Sequence, residues 1–227
     1  MNRRNIKWGI GSGAVVIVVI GVGFAVTGHA FANSLLNGAW GIFQTQQAQL
    51  QSSNSKNVIG HIDGTAITQQ QFDLFKNGQD LFAALGKRTQ PTNKQIWSLL
   101  TREIVLETVT KQQGYTVTTA QAQKVTEALH QEFLQHLNSP VGSLTAQQFQ
   151  HNLETALGIS DSYYWGPYLV NAEKTQLAEV NFQSHWGIQY VKNHPSATRT
   201  EIETAWNNYL SSLAANASVT SPPSPGK

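Results

Sequence analysis

At Thr68, Thr118, Thr145 and Thr198 a threonine stands three residues ahead of Gln71, Gln121, Gln148 and Glu201, and apolar residues at helical spacing follow each time. A threonine at the cap accepts a hydrogen bond from the N–H three residues on, and the Gln or Glu bonds back to the threonine N–H. Such a pair starts a helix. Ile67 with Phe72, and Leu144 with Phe149, occupy the positions of the apolar staple across such a start. Strand-like sequence is confined to Val58–Ile67, where two short apolar runs flank Asp63-Gly64 and predict a hairpin. The chain therefore reads as all-α, with about six helices and one small β-hairpin near 58–67.

The first helix carries Phe72, Phe75, Leu81, Phe82 and Leu85. The second, near Lys94 to Gln113, places Ile96, Trp97, Leu99, Leu100, Ile104, Val105, Leu106 and Val109 around most of its circumference. A helix apolar nearly all round is buried by its neighbours, so this is the central one. Gly114 stops it. The third helix has Val125, Ala128, Leu129, Phe133 and Leu137 as its stripe and is broken by Pro140 and Gly142. The fourth has Phe149, Leu153, Ala156 and Leu157 and ends at Gly158. The fifth starts between Ser160 and Pro167 and runs to about Trp186, with Pro167 in its first turn or at a kink, because a proline inside a straight helix costs about 3 kcal/mol. The last presents Ile202, Ala205, Trp206, Tyr209, Leu210 and Leu213 on one face. It is too short to stand alone in water. Its expected cover is the outer side of the first two helices, which brings Ala217 to Thr220 beside Val58 to Ile62 as an added strand.

Two stretches carry a resemblance: Val58 to Phe72 (VIGHIDGTAIT, then QQQF), and Ile96 to Glu107 running on through Gln113 to Thr119 (QGYTVTT). Together they resemble the N-terminal chaperone domain of the SurA and PrsA family of extracytoplasmic foldases. That family has a V-x-x-V-N/D-G-x-x-I-T/S turn into a helix, then an apolar helix, a Gly stop and a Gly-Ile/Tyr-x-Val-Ser/Thr link. His61-Ile62 departs where the family usually has an aliphatic residue. Trp206 to Leu213, then Ala217 to Val219, resemble the family's closing helix. The resemblance implies a chaperone-like domain, residues 58–219, that binds unfolded or partly folded exported proteins without nucleotide or cofactor. In the family a parvulin-type isomerase domain of roughly 90 residues precedes the closing helix, a size in the ordinary domain range. Here only His185 to Ala197 occupies that place, so no isomerase, and no enzyme, is expected.

The ends of the chain fix its expected location. Arg3, Arg4 and Lys7 precede the apolar Gly13 to Val26, and Ala30-Phe-Ala32 follows as an A-x-A site. Residues 1–32 read as a signal peptide cleaved near Ala32 or as a retained membrane anchor. Both readings put the remainder outside the cytoplasm, anchored or secreted. Residues 33–57 form a polar spacer rich in Gln, Ser and Asn, and 220–227, with three prolines, a disordered tail. Without the three leader cations, 12 basic residues face 13 acidic ones, which argues against a nucleic-acid partner. Cysteine is absent, which excludes disulfides and thiolate chemistry. Charged residues are only 12% of the chain, and glutamine supplies the missing polarity. One reading is adaptation to an acidic exterior, where carboxylates lose their pairing value; the other is compositional drift.

Few residues suggest chemistry. His130 and His136 fall on different helix faces, and an ordinary loop separates His185 from His194, so no metal site is expected. Glu103 and Glu107 form an i, i+4 pair that reads as an exposed or partnered helix edge. Ser160-Asp161-Ser162 reads as a helix start, with no nucleophile elbow before it. No Gly-rich phosphate loop occurs. Two aromatic groups remain: Tyr163, Tyr164, Trp165 and Tyr168 at one end of the fifth helix, and Phe182, Trp186 and Tyr190 at the other. They are either core or a peptide-binding surface, since rings offer large contact area at low entropy cost and accept many sequences. Two functions stay open: a general ATP-independent chaperone, or an envelope structural or adaptor protein that uses the fold to hold one partner. An enzyme built on the fold is a remote third.

Overall fold

Asp63 and Gly64 both adopt positive φ, 47° and 78°. This two-residue turn has the twist a hairpin needs. It joins β1 (Val58–Ile62) to β2 (Thr65–Thr68) in the computed structural model, which describes residues 57–85, 88–137, 150–151, 154–155 and 158–220. The expected leader, most of the spacer, the fourth-helix stripe and the tail beyond Thr220 lie outside the described residues.

A third strand, β3 (Val219–Thr220), pairs antiparallel with the free edge of β1, placing Val219 opposite Ile62 and Thr220 opposite His61. The sheet order is β2–β1–β3, so β1 is central. Asp63 ties the returning chain to the turn: its carboxylate accepts from the Ser218 N–H at 2.7 Å, and its own N–H donates to the Ser218 carbonyl at 2.9 Å. Gly60 is required by close approach. A Cβ there would sit 2.9 Å from the Thr220 carbonyl oxygen and 3.0 Å from the Trp97 ring.

Helix α1 (Gln69–Leu85) starts as expected, with the Thr68 N–H donating to Gln71 Oε1 at 2.9 Å and the Gln71 N–H to Thr68 Oγ1 at 3.2 Å. Phe72 and Phe75 turn inward onto Ile62 and Ile67 of the sheet. Leu81 is buried too, while the side chains of Phe82 and Leu85 lie outside the description. Helix α2 (Asn93–Gln112) begins at a further capping box, Thr92 with Gln95, in addition to those expected at Thr68, Thr118, Thr145 and Thr198. It buries Ile96, Trp97, Leu100, Val105 and Leu106, and is the central helix, lying against β1, α1 and the last two helices. Gly114, at φ 78°, ends it. The Tyr115 N–H reaches the Thr110 carbonyl at 3.1 Å and the Gly114 N–H that of Lys111 at 3.0 Å, which satisfies carbonyls the helix end leaves free.

Helix α3 (Thr119–Leu137) has the expected Thr118–Gln121 box. Its inward stripe is rotated from the expected one: Ala122, Thr126 and Phe133 are buried, Val125 and Leu129 half-buried, and Ala128 exposed. Thr126 sits one turn from both Ala122 and His130 and faces the neighbouring helix, a place its polar type concealed. Leu137 lies outside the described side chains.

Ser160 caps a single helical turn, Asp161–Tyr163, that opens into a wide π-type turn, Tyr164–Tyr168. Gly166 leaves helical geometry there (φ −100°, ψ −113°), ahead of Pro167, so the proline sits at a kink as expected. Helix α4 (Leu169–Asn193) follows and runs past Trp186, the expected end. The stretch from His185 to His194, expected as a loop, is helix. Gly187 alone does not stop a helix, and the ring stack Trp186–Tyr190 supports another turn. The helix ends where His194 donates its N–H to Tyr190 at 2.9 Å, just before Pro195.

Helix α5 (Arg199–Asn216) starts at the Thr198–Glu201 box. Its inner face is the expected one, with Trp206 and Leu210 buried and Ile202, Ala205, Tyr209 and Leu213 half-buried. Its cover differs: α5 lies chiefly on α2 and α4 rather than on α1 and α2. Trp206 and Leu210 close a second core with Leu106 and Phe182. Leu213 reaches both this core and the sheet-side core, so the two are continuous.

Candidate functional site

The first aromatic group follows from the kink. The wide turn swings Trp165 onto α3, where its ring stacks on His130 at 4.3 Å and 11° and meets Phe133 at 5.3 Å. Tyr164 is buried and contacts Trp165 edge-on at 5.2 Å and Tyr168 at 5.8 Å. Burial pushes the Tyr168 hydroxyl up to about 12 and that of Tyr164 higher still, so both stay neutral donors. Trp165 and Tyr168 are half-buried, and Tyr163 is 49% exposed. This group is mainly a wall between α3 and the turn, with Tyr163 outside it.

The second group is built differently. Phe182 is core, in T-shaped contact with Trp206 at 5.7 Å. From there the rings step outward. Trp186 meets Trp206 at 5.1 Å, stacks on Tyr209 at 5.7 Å and 29°, and stacks on Tyr190 at 5.2 Å and 14°. Tyr190 in turn stacks on His194 at 4.3 Å and 19°. Tyr115 adds contacts to Phe182 at 5.4 Å and His185 at 5.9 Å. Trp186, Tyr190 and Tyr209 are each half-buried, leaving part of every ring to solvent. On the same helical end Ile188 is 65% and Val191 38% exposed, an apolar surface that the fold does not cover.

The two groups therefore stay apart. Trp165 sits in the wide turn before α4 and Trp186 in the last third of α4, on the order of 25 Å along the helix from Leu169 at 1.5 Å per residue. Trp206, Tyr209, Tyr115 and His194, expected as core, linker and loop, belong to the second group. The spacing Trp186, Tyr190, His194 was the available signal: i, i+4, i+8 lines up one helix face.

Catalytic chemistry finds little here. Glu107 forms an ion pair with Lys111 at 2.6 Å, as a partnered helix edge should. Among the described residues no group of three His, Asp or Glu could hold a metal ion. Among them, too, no helix is long and apolar enough to cross a membrane.

Residues 10–153 match the SurA-like N-terminal domain family, and the chain belongs to that family. The match takes in β1, β2 and α1 to α3, while α4, α5 and β3 follow it. No curated protein and no solved structure matches the chain. Membership makes this a chaperone-like folding factor in general terms: SurA-like N-terminal domains are extracytoplasmic, non-catalytic modules that engage client polypeptides.

Proposed function

We propose that this chain is an ATP-independent holdase for unfolded or partly folded exported proteins, and that the half-buried rings Trp186, Tyr190 and Tyr209, backed by the buried Phe182 and Trp206, are its principal client surface. One observation carries the reading: a continuous file of half-buried rings leads from the core to an uncovered apolar helix end. Ring faces accept many side chains at little entropic cost. Weak contact of this kind shields an exposed apolar segment, and folding withdraws the client by mass action. Tyr163, Tyr164, Trp165 and Tyr168 form a second, smaller patch in which Tyr163 makes the exposed contact. Residues 58–219 are the working domain in this reading, and 1–32 export it as a cleaved signal or hold it at the membrane.

The test is thermal aggregation of two unrelated clients at near-stoichiometric ratio without ATP. Delay of both is the expected result. Protection of neither, with capture of one envelope protein, would replace the holdase by the adaptor. The chain is also expected to leave Xaa-Pro isomerisation of a short peptide at its uncatalysed pace of tens to hundreds of seconds.

A further inference from the structure

Helix α4 buries three polar side chains at a spacing of three, Glu173, Gln176 and Glu179, which are 5%, 8% and 6% exposed. Glu179 Oε1 and Gln176 Oε1 have no hydrogen-bond partner, and neither have the buried hydroxyls of Thr110 on α2 and Thr126 on α3. Unpaired polar atoms thus sit on α4 and on two helices packed against it, α2 and α3. Ionised, Glu179 would add only acceptors to this junction. Protonated, it brings an O–H donor within one helical turn of Gln176 Oε1, which can only accept. We infer that the α2–α4 seam is a pH-dependent latch, closed while the Glu179 carboxyl keeps its proton and loosened when that proton is lost.

The charges around it favour the neutral acid. Burial, reinforced by the like charge of Glu107 and opposed by Lys111, both on α2, pushes Glu179 up to about 8. Burial also raises Glu173 on α4 itself. Helix α3 turns Ala122, Thr126 and Phe133 inward, while its Lys124, Glu127 and Glu132 are exposed. Helix α5 contributes the Tyr209 hydroxyl, which burial raises and so keeps neutral. From the wide turn come Tyr164 and Tyr168, neutral for the same reason. A raised carboxyl means that the folded state binds more protons than the unfolded one. Stability is then full in acid and falls as pH climbs from the ordinary carboxylate range to about 8. Phe182 lies one turn beyond Glu179, so loosening the seam frees the helix that carries the rings. The latch stands whether or not those rings bind clients.

The experiment is denaturant unfolding of the full chain from about pH 5 to about pH 9, for the wild type, Glu179→Gln and Glu107→Gln. The wild-type unfolding constant is expected to rise by up to tenfold per pH unit between about 5 and 8, the slope of one proton. Glu179→Gln should flatten that rise. Glu107→Gln, on a partly exposed edge, should make it end at lower pH. A wild type with no rise, or a Glu179→Gln rise as steep as the wild type's, overturns the latch. Should Glu179→Gln not fold, a Glu107→Gln rise ending at the wild-type pH overturns it alone.

Discussion

Trp206 is 7% exposed and touches Phe182, Trp186 and Tyr209, so Trp206→Ala should remove about 3–5 kcal/mol from the unfolding free energy. Two glycines separate close approach from backbone conformation. Gly64→Ala meets open space but keeps a positive φ, and is expected to cost about 1 kcal/mol. Gly60→Ala forces its Cβ against the Thr220 carbonyl and Trp97, and should cost about 1–3 kcal/mol while releasing β3. Equal melting points for the two glycine variants would contradict the contact. At this scale the sequence spoke clearly where a residue type has one use. Thr68 with Gln71, and Asp63-Gly64, could be read directly as cap and turn. Thr126, Gln176 and Glu179 could not, because polar side chains are assigned outward unless a partner is in view, and the surfaces that bury these lie on other helices.

Helices α4 and α5 carry the element-scale argument. A chain ending at Ala197 loses Trp206 and Leu210 from the second core and β3 from the sheet, so its thermal midpoint should fall by at least ~5 °C. An unchanged midpoint would make α5 an accessory arm. Thr198→Ala should cost about 1 kcal/mol through the lost cap. The Thr198 bonds hold the Glu201 carboxyl below the usual range, so their support is present at neutral pH and is lost as pH falls through that lowered value. Helix starts were legible in sequence because capping is local. The end of α4 was not: it rests on rings stacking across a turn and on Trp206, more than ten residues downstream. The cover of α5 differs because Phe182 and Leu106 turn toward Trp206, a packing between distant segments that no local pattern marks.

Among the described residues, a small sheet and five helices of four turns or more are built on one central helix, α2, with Val219–Thr220 returning to Val58–Ile62 through the pairing of β3 with β1. The family and this closure could be read from Val58 to Thr68 and Ala217 to Thr220. The ring surface could be read only as residue types, because partial exposure is a property of the assembled helices. The latch proposed for Glu179 would make the domain firmest in acid, which fits the acid-adaptation reading of its glutamine-rich, charge-poor composition rather than compositional drift. A stability curve that collapses between about pH 5 and pH 3 would count against that reading. The most direct test of the central claim pairs Trp186→Ala with Tyr190→Ala in one chain and compares its protection of two unrelated aggregating clients with the wild type's, after circular dichroism confirms the helices. The rings are half-buried, so the fold should survive. The account predicts that protection falls severalfold for both clients together. Undiminished protection by a folded double variant would contradict it.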